Sequence, residues 1–338
     1  MKLHNYQERG RKFIHANNTA ILAVGLGLGK TATTIHAIDD LSPTSALIVA
    51  PKRVAETVWR QEAEAWGLNS LAEKMCIVAG TPAKRKKMLS DTNTPIKIIG
   101  RDNLKDIQNM QFDMVVIDEL TSFKTPKSKR SEFMKSIKAD KKIGLTGTFL
   151  TKGAIDIYGQ ADVLFNKNPL GANFYSWRSR YFYNSAPPSV RWQIWKLLKE
   201  IPMEQVLEPI RSNIFTLDSA DYLDIPEVEE VVHKVKLSDA EMKNYIEMDT
   251  QLRSDLGSVY SEEQKISKLQ TLANDFIYQS LTGTQVRGTH QTKVTQVVDY
   301  VESAVAESEQ VLLFYAFREE ALLISEMLKK RGIKFCSP

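Results

Sequence analysis

Cysteine is nearly absent from this 338-residue sequence: Cys76 and Cys336 stand far apart, with no metal-ligand spacing. That excludes a disulfide framework, gives no reason to expect structural zinc, and fits a reducing compartment. Long apolar runs are missing as well. No stretch approaches the ~20 residues needed to cross a bilayer, and the polar opening Met1-Lys2-Leu3-His4-Asn5-Tyr6-Gln7-Glu8 has no signal-peptide core. The chain is therefore expected in the cytoplasm, with no membrane partner. Excess charge of one sign is also scarce, since 45 Lys and Arg against 41 Asp and Glu leave only +4. Such a balance does not by itself establish nucleic-acid binding. With 43% apolar and 25% charged residues, disordered and collagen-like classes are excluded, and the length has room for two domains.

What is present begins with Gly25-Leu26-Gly27-Leu28-Gly29-Lys30-Thr31, which follows an apolar run at 20–24 and precedes a helical pattern at 32–41. Strand, glycine loop and helix in that order make a phosphate cradle. Glycines let backbone N–H groups close around phosphate oxygens, and the following helix points its positive end at them. Gly25, Gly27, Leu28, Gly29, Lys30 and Thr31 are the candidate ATP-binding residues, with Lys30 reaching the β- and γ-phosphates and the Thr31 hydroxyl on Mg²⁺. Only the second half of the common G-x-x-x-x-G-K-[ST] pattern is intact, because Val24 stands where its first glycine belongs. A flexible glycine-rich turn with an incidental lysine is the competing reading.

The second motif is Phe112-Asp113-Met114-Val115-Val116-Ile117-Asp118-Glu119, a short β-branched strand ending in two carboxylates. There Asp118 would hold Mg²⁺ while Glu119 orients and polarises the attacking water, so Lys30, Asp118 and Glu119 are the candidate catalytic residues. A plain strand-to-loop turn with two solvated acids is the alternative.

Between 19 and 164, apolar runs at 20–24, 45–50, 75–79, 96–99, 114–117 and 143–145 alternate with helical patterns. This rhythm predicts an α/β fold with a parallel sheet covered by helices, and it puts both motifs at the C-terminal ends of strands. A first lobe is assigned to 1–164, a mainly helical region to 165–290, and the beginning of another α/β lobe to 291–338. In these later parts Ser238-Asp239-Ala240-Glu241 has capping-box spacing. Val294, Val297, Val298, Val301 and Val305 share one helical face, 310–317 reads as a buried strand, and 318–331 as a helix stopped by Gly332.

Basic residues are clustered although the total is balanced. Eight lie between Lys124 and Lys142, among them Lys127, Lys129 and Arg130, and Lys84-Arg85-Lys86-Lys87 forms another group. A solvated face and a phosphate-backbone contact are both open. Aromatic residues crowd at Phe174, Tyr175, Trp177, Tyr181, Phe182, Tyr183, Trp192 and Trp195, with Arg178, Arg180 and Arg191. The preferred reading is a packed helical protrusion rimmed by arginines, ahead of a stacking platform for bases.

In order along the chain, these residues resemble the Swi/Snf-type ATPases of helicase superfamily two, particularly compact phage and bacterial forms. Leu3, Tyr6 and Gln7 are similar to the family's entry motif, and the glycine loop to its motif I. Leu47-Ile48-Val49-Ala50-Pro51 with Trp59 and Trp66 is similar to motif Ia, and Asp118-Glu119-Leu120-Thr121 stands where the family has Asp-Glu-Ala-His. Leu145-Thr146-Gly147-Thr148 matches motif III, the Ile225-Pro226-Glu227 turn continues the likeness, and Leu312-Leu313-Phe314-Tyr315 resembles motif IV. The resemblance implies RecA-like lobes, ATP and Mg²⁺ as cofactors, Gln7 on adenine, and Thr146, Gly147 and Thr148 coupling the nucleotide to nucleic acid. It further implies double-stranded DNA as the partner of an ATP-driven motor in a bacterial or phage-infected cell. The departures are Val24-Gly25 in place of an acidic pair, Leu120-Thr121 in place of Ala-His, and Phe149 in place of Pro. No Q-x-x-G-R pattern for motif VI is found, and the expectation is a translocase cut off after motif IV. The competing function is an ATP-binding protein that docks on DNA or on a protein partner with little catalysis.

Overall fold

The computed structural model describes residues 2–149, 153–187, 193–223, 229–251, 253–254, 257–258, 262–274, 276–278, 285–287 and 291–336. Packing divides the chain into two compact units, Met1–Pro226 and Glu227–Pro338.

The first unit opens with α1 (Asn5–Ala16), β1 (Thr19–Val24), α2 (Lys30–Leu41), β2 (Ala46–Ala50), α3 (Lys52–Ala65) and α4 (Asn69–Glu73). Then come β3 (Met75–Val78), α5 (Pro82–Ser90), β4 (Ile96–Gly100), β5 (Gln111–Asp118), α6 (Lys129–Ser136), β6 (Lys138–Thr146) and α7 (Ile157–Leu164). The unit closes with α8 (Phe174–Tyr181), β7 (Phe182–Asn184), β8 (Trp195–Leu197), α9 (Met203–Leu207) and β9 (Ile214–Leu217). Seven strands form one parallel sheet in the order β3-β4-β2-β5-β6-β1-β9.

Successive strand residues face opposite sides, so a strand buried on both faces feeds two cores. Leu22, Ile48, Ile98 and Val116 pack with Ile14, Ile35, Ile38 and Trp59 from α1, α2 and α3. On the other face Ile21, Leu47, Val49, Val115 and Ile117 meet Met134 of α6 and Val163 and Leu164 of α7. The fold is α/β and RecA-like, with helices on both faces of the sheet.

All six expected strands are present within a few residues of the expected bounds. The seventh, β9, lies beyond the 1–164 stretch assigned to the first lobe. It joins the edge beside β1 with the register Ile21↔Ile214 to Val24↔Leu217. Four residues, of which two are half-buried, Thr216 is exposed and Leu217 is buried, give no period strong enough to mark a strand, and pairing to β1 supplies what the local pattern lacks. The region expected to be mainly helical also contains the antiparallel pair β7–β8. Trp177, Tyr181 and Phe182 are buried in one cluster with Tyr158 and Leu170, which is the packed reading of the aromatic crowd. Arg178 lies 3.8 Å over the Trp195 ring. Trp192, Arg191 and the Ile225-Pro226-Glu227 turn lie outside the described residues.

The second unit holds α10 (Asp239–Gln251), α11 (Glu262–Leu272), α12 (Thr292–Ala306) and α13 (Arg318–Lys330). It also has two short antiparallel pairs, β10 (Arg253–Ser254) with β11 (Gly257–Ser258) and β12 (Phe276–Tyr278) with β13 (Gln285–Arg287). The capping box forms: Ser238 N donates to Glu241 Oε2 at 2.8 Å and Glu241 N to Ser238 Oγ at 3.3 Å. Glu241 Oε1 also accepts from Thr292 N at 2.9 Å, tying the starts of α10 and α12. Val294, Val298 and Val301 pack on Leu323, Ile324 and Leu328. The buried strand expected at 310–317 does not form. Among the described residues no strand pairs with this segment, and Leu312 and Phe314 are 78% and 88% exposed. A strand's backbone groups need a neighbouring strand, whatever the side-chain pattern favours.

Candidate active site

Adjacent parallel strands β5, β6 and β1 end side by side, and each end carries one motif. Asp118 of β5 pairs with Leu145 of β6, and Ala23 of β1 with Thr146 of β6. The glycine loop leaves β1, the Asp118-Glu119 turn leaves β5 and the Thr146-Gly147-Thr148 turn leaves β6.

The loop has the backbone a phosphate cradle requires. Gly27 and Gly29 have φ of 80° and 72°, in the left-handed region where a side chain is strained. Gly29 precedes α2 without a capping side chain, so the first N–H groups of that helix are not taken by a cap. Lys30 Nζ donates to Val24 O at 2.8 Å and Gly25 O at 3.1 Å, folded back over its own loop. Burial lowers the Lys30 ammonium from its ordinary value, opposed by the negative charges of Asp118 and Glu119. Thr31 follows in the first turn of α2, half-buried. Leu28 is buried under the loop, and Gly25 N donates to Leu217 O at 2.9 Å.

Gln7, 5% exposed, sits behind the loop. Its Nε2 donates to Leu28 O at 3.3 Å, and its Oε1 accepts from His4 N at 2.8 Å. A Cβ on Gly29 would lie 2.2 Å from that Nε2, so glycine at 29 lets α1 support the loop directly.

At the end of β5, burial pushes the Asp118 carboxyl above its ordinary range, while a hydrogen bond from Trp59 and the charge of Lys30 pull it down. Glu119 adopts φ 58° and ψ 65°, a left-handed conformation that costs a non-glycine residue ~1–3 kcal/mol and gathers at functional sites. The Thr121 hydroxyl donates to Glu119 Oε1. Thr121, which stands where the resemblance has histidine, thus holds the neighbouring carboxylate. Local sequence shows neither this contact nor that of Trp59.

Thr146 is fully buried, and its Oγ1 accepts from Thr148 N at 3.1 Å. A Cβ on Gly147 would lie 3.1 Å from Leu26 Cδ2 and 3.6 Å from Lys30 Nζ. The third motif therefore packs beside the first, and a side chain at 147 would crowd Leu26 of the loop and come into ordinary contact with the lysine.

The basic cluster is dispersed. Lys141 donates to Ile14 O and Asn17 O at 2.8 and 2.5 Å, Lys142 is buried, and Lys135 pairs with Asp162 at 2.8 Å. Of the three candidate contact residues, Arg130 pairs with Asp102 at 2.8 Å, Lys127 lies 4.6 Å over the Tyr175 ring, and Lys129 is exposed at the start of α6. The eight basic residues do not form one face.

Comparison with known proteins gives the family and the fold. The SNF2-related domain matches residues 6–290. The chain belongs to the SNF2-related domain family. It is 28% identical over 277 residues to a protein of Acyrthosiphon pisum secondary endosymbiont phage 1, covering 75% of this chain and 59% of that protein. With an uncharacterized ATP-dependent helicase of Mycoplasma genitalium it shares 26% identity over 229 residues, 61% of this chain and 22% of the helicase. The SWI2/SNF2 ATPase core of Sulfolobus solfataricus, solved in complex with dsDNA, superposes with a TM-score of 0.55 at 20% identity. That match covers 98% of this chain and 70% of the solved one. This SNF2-family chain thus has an ATPase-core fold and helicase-like relatives, and it spans little more than half the length of the phage relative.

Proposed function

We propose that this SNF2-family chain binds ATP with magnesium on the loop from Gly25 to Thr31 and carries groups for its hydrolysis, and that in the complete protein hydrolysis drives movement along double-stranded DNA in the cytoplasm. The observation that carries the reading is the meeting of Lys30, Asp118, Glu119 and Gly147 at three neighbouring strand ends.

The residues fit the cofactor. Among the described residues no cluster of three or more His, Cys, Asp or Glu is arranged to hold a metal. Magnesium takes one or two protein oxygens and completes its shell with phosphate and water, so Thr31 and Asp118 suffice. When bound, it neutralises charge on the phosphate oxygens. The loop amides and the start of α2 hold the phosphates, and Lys30 leaves the carbonyls of Val24 and Gly25 for the β- and γ-phosphates. Glu119, fixed through Thr121, orients a water for attack on the γ-phosphorus and accepts its proton at a carboxylate oxygen. Breaking the bond to the bridging oxygen yields ADP and phosphate. Gly147, against both Leu26 and Lys30, passes the change in loop occupancy to the turn that follows β6. Gln7 reads the adenine from behind the loop.

The experiment compares Lys30→Ala and Glu119→Gln with the parent. Lys30→Ala is expected to weaken Mg-ATP binding, and Glu119→Gln to keep binding and lower turnover. Equal ATP affinity in Lys30→Ala and the parent removes the loop assignment. Turnover indifferent to duplex DNA favours the docking reading over the motor, and competition with RNA and single strands tests the choice of nucleic acid.

A further inference from the structure

The first half of the phosphate loop departs from the common pattern, and a turn far along the chain lies against it. After β9, residues 218–223 fold into a 3-10 turn: Asp218 Oδ1 accepts from Ala220 N at 3.1 Å, and Leu223 N donates to Ser219 O at 2.9 Å. Ser219 Oγ donates to Leu26 O at 2.8 Å, across 193 positions of chain. A Cβ on Gly25 would lie 2.0 Å from Ser219 Oγ and 2.8 Å from Ser219 N, and one on Gly27 would lie 3.0 Å from Leu223 Cδ1. The Tyr222 ring lies 4.8 Å from the ring of Tyr6, which neighbours Gln7. Glycine at 25 and 27 is thus what allows this turn to close on the loop.

We propose that Ser219 is a positioning residue of the nucleotide site, holding the Leu26 carbonyl outward so that the loop amides stay available to phosphate. An anion cradle fails when one peptide plane flips and presents its oxygen to the ligand. In a trans peptide the C=O and the following N–H point in opposite directions, so anchoring Leu26 O also fixes the direction of the Gly27 N–H. Lys30 cannot provide this anchor, because its ammonium sits on the carbonyls of Val24 and Gly25, upstream of the peptide in question. Pairing of β9 with β1, continued by Gly25 N on Leu217 O at 2.9 Å, delivers Ser219 to that point. The inference rests on the proposal that the loop binds ATP, and it assigns to the turn after β9 a part in that binding.

The test uses the whole chain with Ser219→Ala, Ser219→Thr and, as a separate probe of the loop itself, Lys30→Ala. Mg-ATP affinity is measured by calorimetry, melting without nucleotide by circular dichroism, and amide exchange of the 25–29 segment by mass spectrometry. Loss of one hydrogen bond predicts an affinity about threefold to tenfold lower in Ser219→Ala, with faster exchange confined to the loop. Melting is expected within ~2 °C of the parent, and Ser219→Thr, which keeps the hydroxyl, is expected to restore both affinity and exchange. Parent-like affinity and exchange in Ser219→Ala, with affinity lost in Lys30→Ala, overturn the role of Ser219 and leave the nucleotide site standing. Parent-like affinity in Lys30→Ala overturns both.

Discussion

The Trp59 indole donates to Asp118 Oδ2 at 3.1 Å, joining the fully buried ring on α3 to the carboxylate at the end of β5. One oxygen of Asp118 is thereby held from behind, and the carboxyl plane is fixed. Trp59→Phe keeps a ring in the core and removes the donor. A hydrogen bond to a charged acceptor is worth ~1.5–3 kcal/mol, so the magnesium concentration needed for half-maximal ATP turnover is expected to rise roughly tenfold or more. Titrating magnesium at fixed ATP measures this, and an unchanged requirement removes Trp59 from the site.

Thr121 provides a second check on the carboxylate pair. Thr121→Val keeps shape and loses the hydroxyl that donates to Glu119 Oε1. Turnover is expected to fall about tenfold with ATP affinity preserved, and Thr121→Ser to recover it, because the contact aligns the water-orienting group without holding the nucleotide. Steady-state kinetics beside equilibrium binding separates the two. Loss of affinity in step with turnover would place Thr121 in nucleotide binding.

DNA binding should depend steeply on salt and little on sequence. Replacing Lys127, Lys129 and Arg130 together by Ala is expected to flatten the plot of log affinity against log salt by up to ~2.7 for duplex DNA if all three meet phosphates. Arg130→Ala alone should change it by less than one, since Asp102 already holds that guanidinium at 2.8 Å. An unchanged slope in the triple variant returns the cluster to a solvated face.

Away from the site, Asp113 joins the starts of β2 and β5. Its Oδ2 accepts from Thr44 Oγ1 at 2.6 Å, Thr44 N at 2.8 Å and Ser45 N at 3.1 Å. The Thr44 hydroxyl first, with support from Ser45, holds the carboxyl below its ordinary value of 3.8. A depressed folded-state value contributes stability that is present above the unfolded value and lost as pH falls through the folded one. Asp113→Ala should therefore cost ~1–2 kcal/mol near neutral pH and progressively less below about pH 4. Urea midpoints of parent and variant across that range report it, and a gap that widens on acidification contradicts the assignment.

The repeating apolar runs of the first 146 residues determined six strands and their burial between two layers of helices. Burial on both faces writes itself into composition, and the loop at 25–31 and the acids at 118 and 119 are contiguous motifs whose chemistry is local. The capping box at Ser238 and Glu241 was legible for the same reason. Tertiary structure decided what depends on distant partners. Edge strand β9 exists because β1 offers it hydrogen bonds, and 310–317 stays irregular where no described strand offers them. Trp59, Thr121 and Gly147 join the site by contacts that local spacing does not encode, whereas Lys141 and Lys142 leave the basic cluster because their backbone lies in β6. Periodicity records which side of an element faces the interior, but it carries no information about which residue of another element arrives there.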